Sequence, residues 1–316
     1  MTGEGADCWA AGRLERAERI RETGSDMSPA SIEAMFGLYR GAHEERGCTA
    51  PSLTRDLQYG PGPRQRLDVH TVGPDATQPA PVLVYVHGGG FVSGDKHLAG
   101  TPYYDHIGAW AVRHGMVGVT MTYRLAPQDR WPAGAEDVSS AVAWVAEHIG
   151  GYGGDPARVV VAGHSAGATH VAGYLAGHAG VPPSATAAAL LSGIYDLTIT
   201  GRNHMHAAYF GVDPSKYGAR SPLAGLAACD VPVLLAVAEF DPPQFHEQAS
   251  GALEAFMHRS GTLPPLAYAL GHNHISEIAA LGIDDEPLGL PMLRFIESVT
   301  GAVLPRSEFQ EPAPAA

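Results

Sequence analysis

The chain has 316 residues and a formal net charge of −13, with 45% hydrophobic and 17% charged residues. An acidic surface repels phosphate backbones, so the charge argues against a nucleic-acid partner. Three scattered cysteines, Cys8, Cys48 and Cys229, do not predict a disulfide framework or a metal cluster. The start lacks the pattern of a signal peptide, and no apolar stretch is long enough to span a bilayer, so we expect a cytoplasmic protein.

The first 60 residues are expected to form a lead-in to the main body. About the first 25 are polar and charged, as in a mobile or helical segment. Ser28-Pro29 then predicts a helix start, and Met35 and Tyr39 follow at helical spacing. Two interpretations stay open: this helix packs on the body, or it forms part of a cap over an active site.

From residue 64 onward, apolar runs alternate with helical patterns. Strands that alternate with helices predict an α/β fold in which helices cover both faces of a mostly parallel sheet, here as one domain over residues 1–316. The predicted strands are Leu67–Thr71, Val82–Val86, Met116–Thr122, Val159–Ala162, Ala187–Leu191, Val231–Ala238 and Leu266–Leu270. The predicted helices are Asp137–Gly150, the alanine-rich segment after Ser165, Gln244–His258 and Leu288–Val299.

Residues 192–226 interrupt this alternation. The segment is too long for an ordinary connection and is rich in aromatic residues, among them Tyr195, Tyr209 and Phe210. We interpret it as an insertion over the substrate entrance, together with the helix around Met35. A Pro/Ala tail, 304–316, is expected to be flexible.

The candidate nucleophile is Ser165 in Gly163-His164-Ser165-Ala166-Gly167, a G-x-S-x-G sequence between a predicted strand and a predicted helix. A nucleophile on a sharp strand-to-helix turn needs glycines two positions away, where side chains would collide. The following helix start places backbone N–H groups near the reacting centre. The strand–turn–helix setting makes the pentapeptide specific.

A candidate oxyanion hole comes upstream, where the strand Val82–Val86 runs into His87-Gly88-Gly89-Gly90-Phe91. Glycines let a backbone turn its N–H groups towards a developing oxyanion. We predict the amides of Gly88, Gly89 and Ala166 as donors, with Gly90 as a shaping or supplementary donor. His87 is interpreted as a brace for the loop. A phosphate loop is the alternative, but no Lys-Ser/Thr pair follows.

The acid and the base are expected after the last two strands, in the chain order Ser, Asp/Glu, His. Glu239-Phe240-Asp241 follows one strand, and Asp241 is favoured because it lies in the loop itself, with Glu239 as the alternative. Gly271-His272-Asn273-His274 follows the last strand, and His274 is favoured over His272. An H-x-H pair can also ligate a metal, but no third ligand of matching spacing is evident, so no metal site is predicted.

Together these motifs resemble the hormone-sensitive-lipase-like esterases of the α/β-hydrolase superfamily. The shared features are the HGGGF loop, Tyr123-Arg124-Leu125-Ala126-Pro127, Asp155-Pro156 and GHSAG, within a match from about Val82 to His274. Two features differ: His164 stands where many members carry Asp, and Asn273-His274-Ile275 replaces a usual His-aromatic pair. The second difference is similar to feruloyl-esterase-like and arylformamidase-like relatives.

The resemblance implies a serine esterase that hydrolyses short-chain or small aromatic carboxylic esters without a cofactor. The alternatives are an amidase or arylformamidase on the same triad, and a non-catalytic ligand receptor that keeps the fold. The expected partners are a small-molecule ester and, as a further option, a second copy of the chain. The predicted substrate pocket comprises His164, Phe91, Tyr195, Tyr209, Phe210, Met35 and Tyr39.

Overall fold

A single eight-stranded sheet organises the chain. A computed structural model describes residues 3–73, 78–201 and 203–306, and the side chains from residue 12 onward. The strand order is β1-β2-β4-β3-β5-β6-β7-β8, in which β1–β2 and β2–β4 pair antiparallel and all other neighbours pair parallel. The strands are β1 (Ser52–Gln58), β2 (Arg66–Thr71), β3 (Ala80–Val86), β4 (Val117–Met121), β5 (Gly154–His164), β6 (Ala187–Leu191), β7 (Val233–Phe240) and β8 (Leu266–Asn273).

Helices connect the strands and cover both faces of the sheet. In chain order they are α1 (Gly3–Thr23), α2 (Pro29–Arg46), α3 (Asp105–Arg113), α4 (Ala133–His148), α5 (Ala166–Leu175), α6 (His204–Phe210), α7 (Tyr217–Arg220), α8 (Leu223–Ala228), α9 (Pro243–Ser260), α10 (Ser276–Ala279) and α11 (Gly289–Thr300). Short 3₁₀ turns occupy Ile149–Tyr152 and Pro214–Lys216. No helix in this described part of the chain combines the length and the apolarity that a bilayer crossing requires.

Strand β3 shows how the sequence builds a core on each face. Successive side chains of a strand point to opposite faces. Leu83 and Tyr85 join one buried cluster with residues of α2, α3 and α11, whereas Val82, Val84 and Val86 join another with residues of α4 and α5. This two-sided burial explains the continuous apolar run VLVYV and confirms the predicted mostly parallel, helix-covered sheet.

Within the described residues, the predicted lead-in contains two helices and one strand of the sheet. The polar start forms α1, and α2 begins where predicted, with Ser28 Oγ accepting from the Ser31 N–H (3.3 Å) and Pro29 at the first helical position. Ser52–Gln58 then forms the edge strand β1, which pairs with β2. Its half-exposed pattern, SLTRDLQ, carries little apolar signal.

The insertion 192–226 follows β6 and supplies α6, α7 and α8. Its aromatic part packs on the segment before α4, because Tyr209 O accepts from the Trp131 N–H (3.1 Å) and the Gly134 N–H donates to Tyr209 Oη (2.9 Å). Met205 of α6 lies on Gly90, where an added Cβ would be 2.3 Å from its sulfur. The predicted tail is described only as far as residue 306, so most of it lies outside the described residues.

Candidate active site

Ser165 occupies a sharp turn between β5 and α5. Its backbone has φ 55° and ψ −121°, a strained combination for a residue with a Cβ, and its N–H donates to Leu191 O (2.8 Å). The glycines on either side leave no room for a side chain. A Cβ on Gly163 would lie 2.5 Å from the Gly167 backbone, and one on Gly167 would lie 2.1 Å from Val86 O. The turn therefore presents the half-exposed Ser165 side chain at the carboxyl end of the sheet.

Asp241 and His274 form a buried hydrogen-bonded pair. Asp241 Oδ1 lies 2.6 Å from His274 Nδ1, while Oδ2 accepts from Ser192 Oγ (2.6 Å) and from the Ala238 N–H (2.8 Å). Since the carboxylate accepts, Nδ1 carries the proton and Nε2 presents a lone pair. That Nε2 has no hydrogen-bond partner among the described residues. Such an imidazole is arranged to accept a proton.

Burial opposes charge on both members of this pair, but mutual attraction outweighs it. Burial lowers the pKa of His274, yet the Asp241 carboxylate, with a smaller contribution from Glu277, raises it by more in total, so that it lies above the ordinary imidazole value. For Asp241, burial raises the pKa, but His274, Ser192 and the Ala238 amide together hold it below the ordinary value. The pair is thus built for an imidazolium next to a carboxylate.

The two alternative residues lie elsewhere. Glu239 Oε2 accepts from the Gly271 N–H (2.7 Å), which ties the ends of β7 and β8 together. His272 points to a surface cleft of about 460 Å³ that is also lined by residues of α1 and by Asp285. The structure brings Asp241 to His274, and it brings neither Glu239 nor His272 into that pair.

The glycine loop lies directly against Ser165. A Cβ on Gly88 would be 3.3 Å from the Ser165 Cβ. Gly89 (φ 125°) and Gly90 (φ 60°) take backbone conformations that favour glycine, and Gly89 O closes a tight turn by accepting from the Ser93 N–H (3.1 Å). The N–H groups of Gly89, Gly90 and Ala166 make no hydrogen bond within the described chain.

His87 supports this loop from behind. Its Nδ1 lies 2.6 Å from Gly88 O, and its ring stacks on Tyr123 at 4.3 Å. Tyr123 Oη donates to His87 O (2.9 Å). Burial lowers the pKa of His87 to about 4, so the ring is neutral near pH 7. These contacts agree with a bracing role.

Three of the predicted pocket residues gather above the loop. Phe91 stacks on Tyr209 at 5.0 Å and meets Phe210 edge-on at 5.1 Å. They belong to one apolar cluster with Ala166 and Phe245, and the Phe245 ring lies 4.3 Å from the His274 ring. The residues packed around Ala166 and His274 on this side are therefore mostly apolar and aromatic.

The other four predicted pocket residues are buried in other surroundings. Met35 and Tyr39 pack in the core beside α1, with the Arg16 guanidinium 5.4 Å from the centre of the Tyr39 ring. Tyr195 packs in the core cluster of α4 and α5. His164 is 3% exposed, and its Nε2 lies 2.8 Å from His274 O, so it lies behind the nucleophile and not at the surface of a pocket.

Glu277 is a site neighbour that the sequence reasoning missed. It is fully buried in α10, and its Oε1 lies 3.3 Å from His164 Nε2. A carboxylate inside the apolar stretch Ile275–Ala280 was the available signal. Ligand atoms of His164, His274 and Glu277 lie within 4.8 Å of one another.

Comparison with known proteins finds that the chain is similar to esterases. The BD-FAE family model matches residues 67–182. Esterase LipQ of Mycobacterium tuberculosis is 32% identical over 212 residues, 60% of this chain and 49% of LipQ. Carboxylesterase NlhH of the same species is 42% identical over 106 residues, 33% of this chain and 32% of NlhH. The chain spans about half the length, or less, of the curated relatives it matches.

Solved structures show the same architecture over most of the chain. A protein of Silicibacter sp. TM1040 assigned as a thioesterase is 25% identical, with a TM-score of 0.62, over 87% of this chain and 92% of that one. An esterase/lipase from an uncultured bacterium is 18% identical, with a TM-score of 0.66, over 92% of this chain and 99% of that one. The second likeness concerns the fold alone.

Proposed function

We propose that this chain is a serine esterase of the hormone-sensitive-lipase-like group of the α/β hydrolases, acting on short-chain or small aromatic carboxylic esters. The observation that carries the proposal is the 2.6 Å contact between Asp241 and His274, which leaves the other imidazole nitrogen without a partner among the described residues. The strained turn at Ser165 and the glycine loop against it support the same reaction.

In the proposed acylation, His274 Nε2 takes the proton of Ser165 Oγ as that oxygen bonds to the ester carbonyl carbon. The carbonyl oxygen becomes an oxyanion, which the N–H groups of Gly88, Gly89 and Ala166 stabilise, with the Gly90 N–H as a supplementary donor. The imidazolium then gives its proton to the departing alkoxide as the C–O bond breaks. Asp241 stabilises the positive charge on the ring throughout.

Deacylation repeats these steps with water. His274 takes a proton from water as its oxygen attacks the acyl-enzyme, and then returns the proton to Ser165 Oγ as the acid leaves. No cofactor is needed, because every proton transfer uses side chains of the chain itself. The aromatic cluster of Phe91, Tyr209 and Phe210 supports a small, partly apolar acyl or alcohol group as substrate.

The direct test is covalent labelling together with turnover. A fluorophosphonate probe is expected to add once to the protein, on the peptide that holds Ser165, and p-nitrophenyl butyrate is expected to be hydrolysed. Absence of both labelling and turnover would refute the proposal and favour a ligand receptor. An assay of an N-formyl aromatic amine beside the aryl ester tests the amidase alternative. A larger kcat/KM for the N-formyl compound than for the ester would favour an amidase or arylformamidase.

The pH dependence of the reaction follows from the charge state of His274. The base must be neutral in the free enzyme, and the Asp241 carboxylate keeps its pKa above the ordinary imidazole value, about 6.5. We expect kcat/KM to fall about tenfold per pH unit below that raised pKa and to be flat above it. A rate profile for p-nitrophenyl butyrate measures this. A midpoint below that of a free imidazole would contradict the assignment.

A further inference from the structure

The carboxylate of Glu277 is a buried acidic group that the proposed reaction does not use. It lies three residues after His274 and is fully buried. Neither oxygen makes a well-aligned hydrogen bond within the described residues, although Oε1 lies 3.3 Å from His164 Nε2. A buried carboxylate without full compensation is costly, so its retention beside the site calls for a role.

The hydrogen bond between His164 and the backbone of His274 determines which nitrogen of the His164 ring carries the proton. His164 Nε2 lies 2.8 Å from the backbone carbonyl of His274, which can only accept, so Nε2 must be protonated. The opposite tautomer would direct a nitrogen lone pair towards both this carbonyl and the Glu277 carboxylate. Glu277 therefore favours the tautomer in which His164 donates to His274.

This donor connects the two reacting side chains through their backbones. His164 directly precedes Ser165, whereas His274 follows β8 and Glu277 lies three residues later in α10. We infer that Glu277 is a positioning residue: it holds His164 in the donating tautomer and thereby fixes the base His274 relative to the nucleophile Ser165. The inference rests on the proposed esterase function, because it concerns the geometry of that reaction.

Charge on Glu277 also acts on the base. Burial first, and then the Asp241 carboxylate, raises the pKa of Glu277, whereas the two histidines oppose that rise. In return Glu277, after Asp241, contributes to the raised pKa of His274. The titratable groups that act on Glu277 or are acted on by it come from five segments: Tyr85 in β3, His164 in β5, Tyr195 after β6, Asp241 after β7 and His274 after β8.

The test replaces the carboxylate with an amide of the same shape. Glu277→Gln is expected to lower kcat for p-nitrophenyl butyrate about 10-fold, with KM within about twofold, since a small displacement of the base slows the chemical step more than binding. Because a negative charge near His274 is lost, the acidic limb of the kcat/KM profile shifts to lower pH. The matched control is Glu254→Gln, an exposed glutamate 3.5 Å from the exposed His258, which should match the wild type.

Further variants separate positioning from folding. Glu277→Asp keeps the charge but shortens the side chain, so it should keep more of the wild-type acidic limb than Glu277→Gln while still losing kcat. His164→Ala should lose kcat to a similar extent. If Glu277 acts through His164, the double variant His164→Ala/Glu277→Gln loses little more than the larger single loss. Thermal unfolding shows which variants remain folded.

Two results would overturn the inference while leaving the esterase proposal intact. One is a Glu277→Gln enzyme with wild-type kcat and an unshifted acidic limb. The other is a double variant in which the two single losses multiply, since independent effects would exclude action through His164. A wild-type chain with neither turnover nor fluorophosphonate labelling is a different result, and it would overturn the proposed function together with this inference.

Discussion

Replacing Ser165 with alanine is expected to reduce kcat for p-nitrophenyl butyrate by about 10,000-fold or more and to abolish fluorophosphonate labelling. The hydroxyl oxygen is the only atom lost, and it is the atom that would bond to the acyl carbon. Serine in the wild type and alanine in the variant both carry a Cβ at this φ of 55°, so the substitution leaves the strain of the turn unchanged. We therefore expect the free energy of unfolding to change by no more than about 0.5 kcal/mol.

A matched serine elsewhere controls for this result. Ser140 in α4 is half-buried and donates to Glu136 O at 2.9 Å, remote in sequence from every site motif. Ser140→Ala should retain wild-type kcat. Retention of most turnover by Ser165→Ala, at equal folding stability, would exclude Ser165 as the nucleophile.

Replacing Asp241 with asparagine is expected to give the second-largest loss, about 1,000- to 10,000-fold in kcat. An amide cannot stabilise the imidazolium, and if its NH₂ group faces His274, the ring must accept at Nδ1 and turn its N–H towards Ser165. Ser192 Oγ and the Ala238 N–H both donate to Asp241 Oδ2, the oxygen that faces away from His274. In the asparagine variant the amide oxygen is expected to take that position, which leaves the NH₂ group facing His274. Steady-state kinetics and labelling rate measure the loss.

Glu239 provides the internal control for that assignment. Its carboxylate accepts from the Gly271 N–H at 2.7 Å and lies two residues before Asp241. Glu239→Gln keeps an acceptor oxygen for that amide, so we expect activity within a few fold of the wild type. If Glu239→Gln were the more damaging of the two variants, the roles of the two carboxylates would have to be exchanged.

Local patterns were sufficient for much of the fold and for the order of the site motifs. The β3 run VLVYV, the glycines around Ser165 and the His87–Phe91 loop are short contiguous patterns, although the contacts that require them reach distant residues such as Met205. Each pattern can be recognised in the sequence without knowing those partners. Comparison with known proteins confirms the predicted α/β-hydrolase fold and the resemblance to the esterase group.

Elements without a local apolar pattern could not be predicted in the same way. The edge strand β1 is polar and half-exposed, and only its pairing with β2 makes it a strand. Helix α3 is only nine residues long and is buried from Asp105 through Val112, including the polar residues Asp105 and His106. Both elements are stabilised by distant partners that the local sequence does not reveal.

The sequence by itself predicted the residue types of the proposed site: a serine on a glycine-flanked turn, a glycine loop before it, and a candidate acid and a candidate base after it. Only the tertiary structure brought Asp241 to His274, turned Glu239 and His272 to other contacts, and buried Glu277 against His164. The physical reason is that these contacts join strand ends far apart in the chain. A choice between neighbouring residues on such a loop depends on the direction of side chains in three dimensions, which spacing along the sequence does not fix.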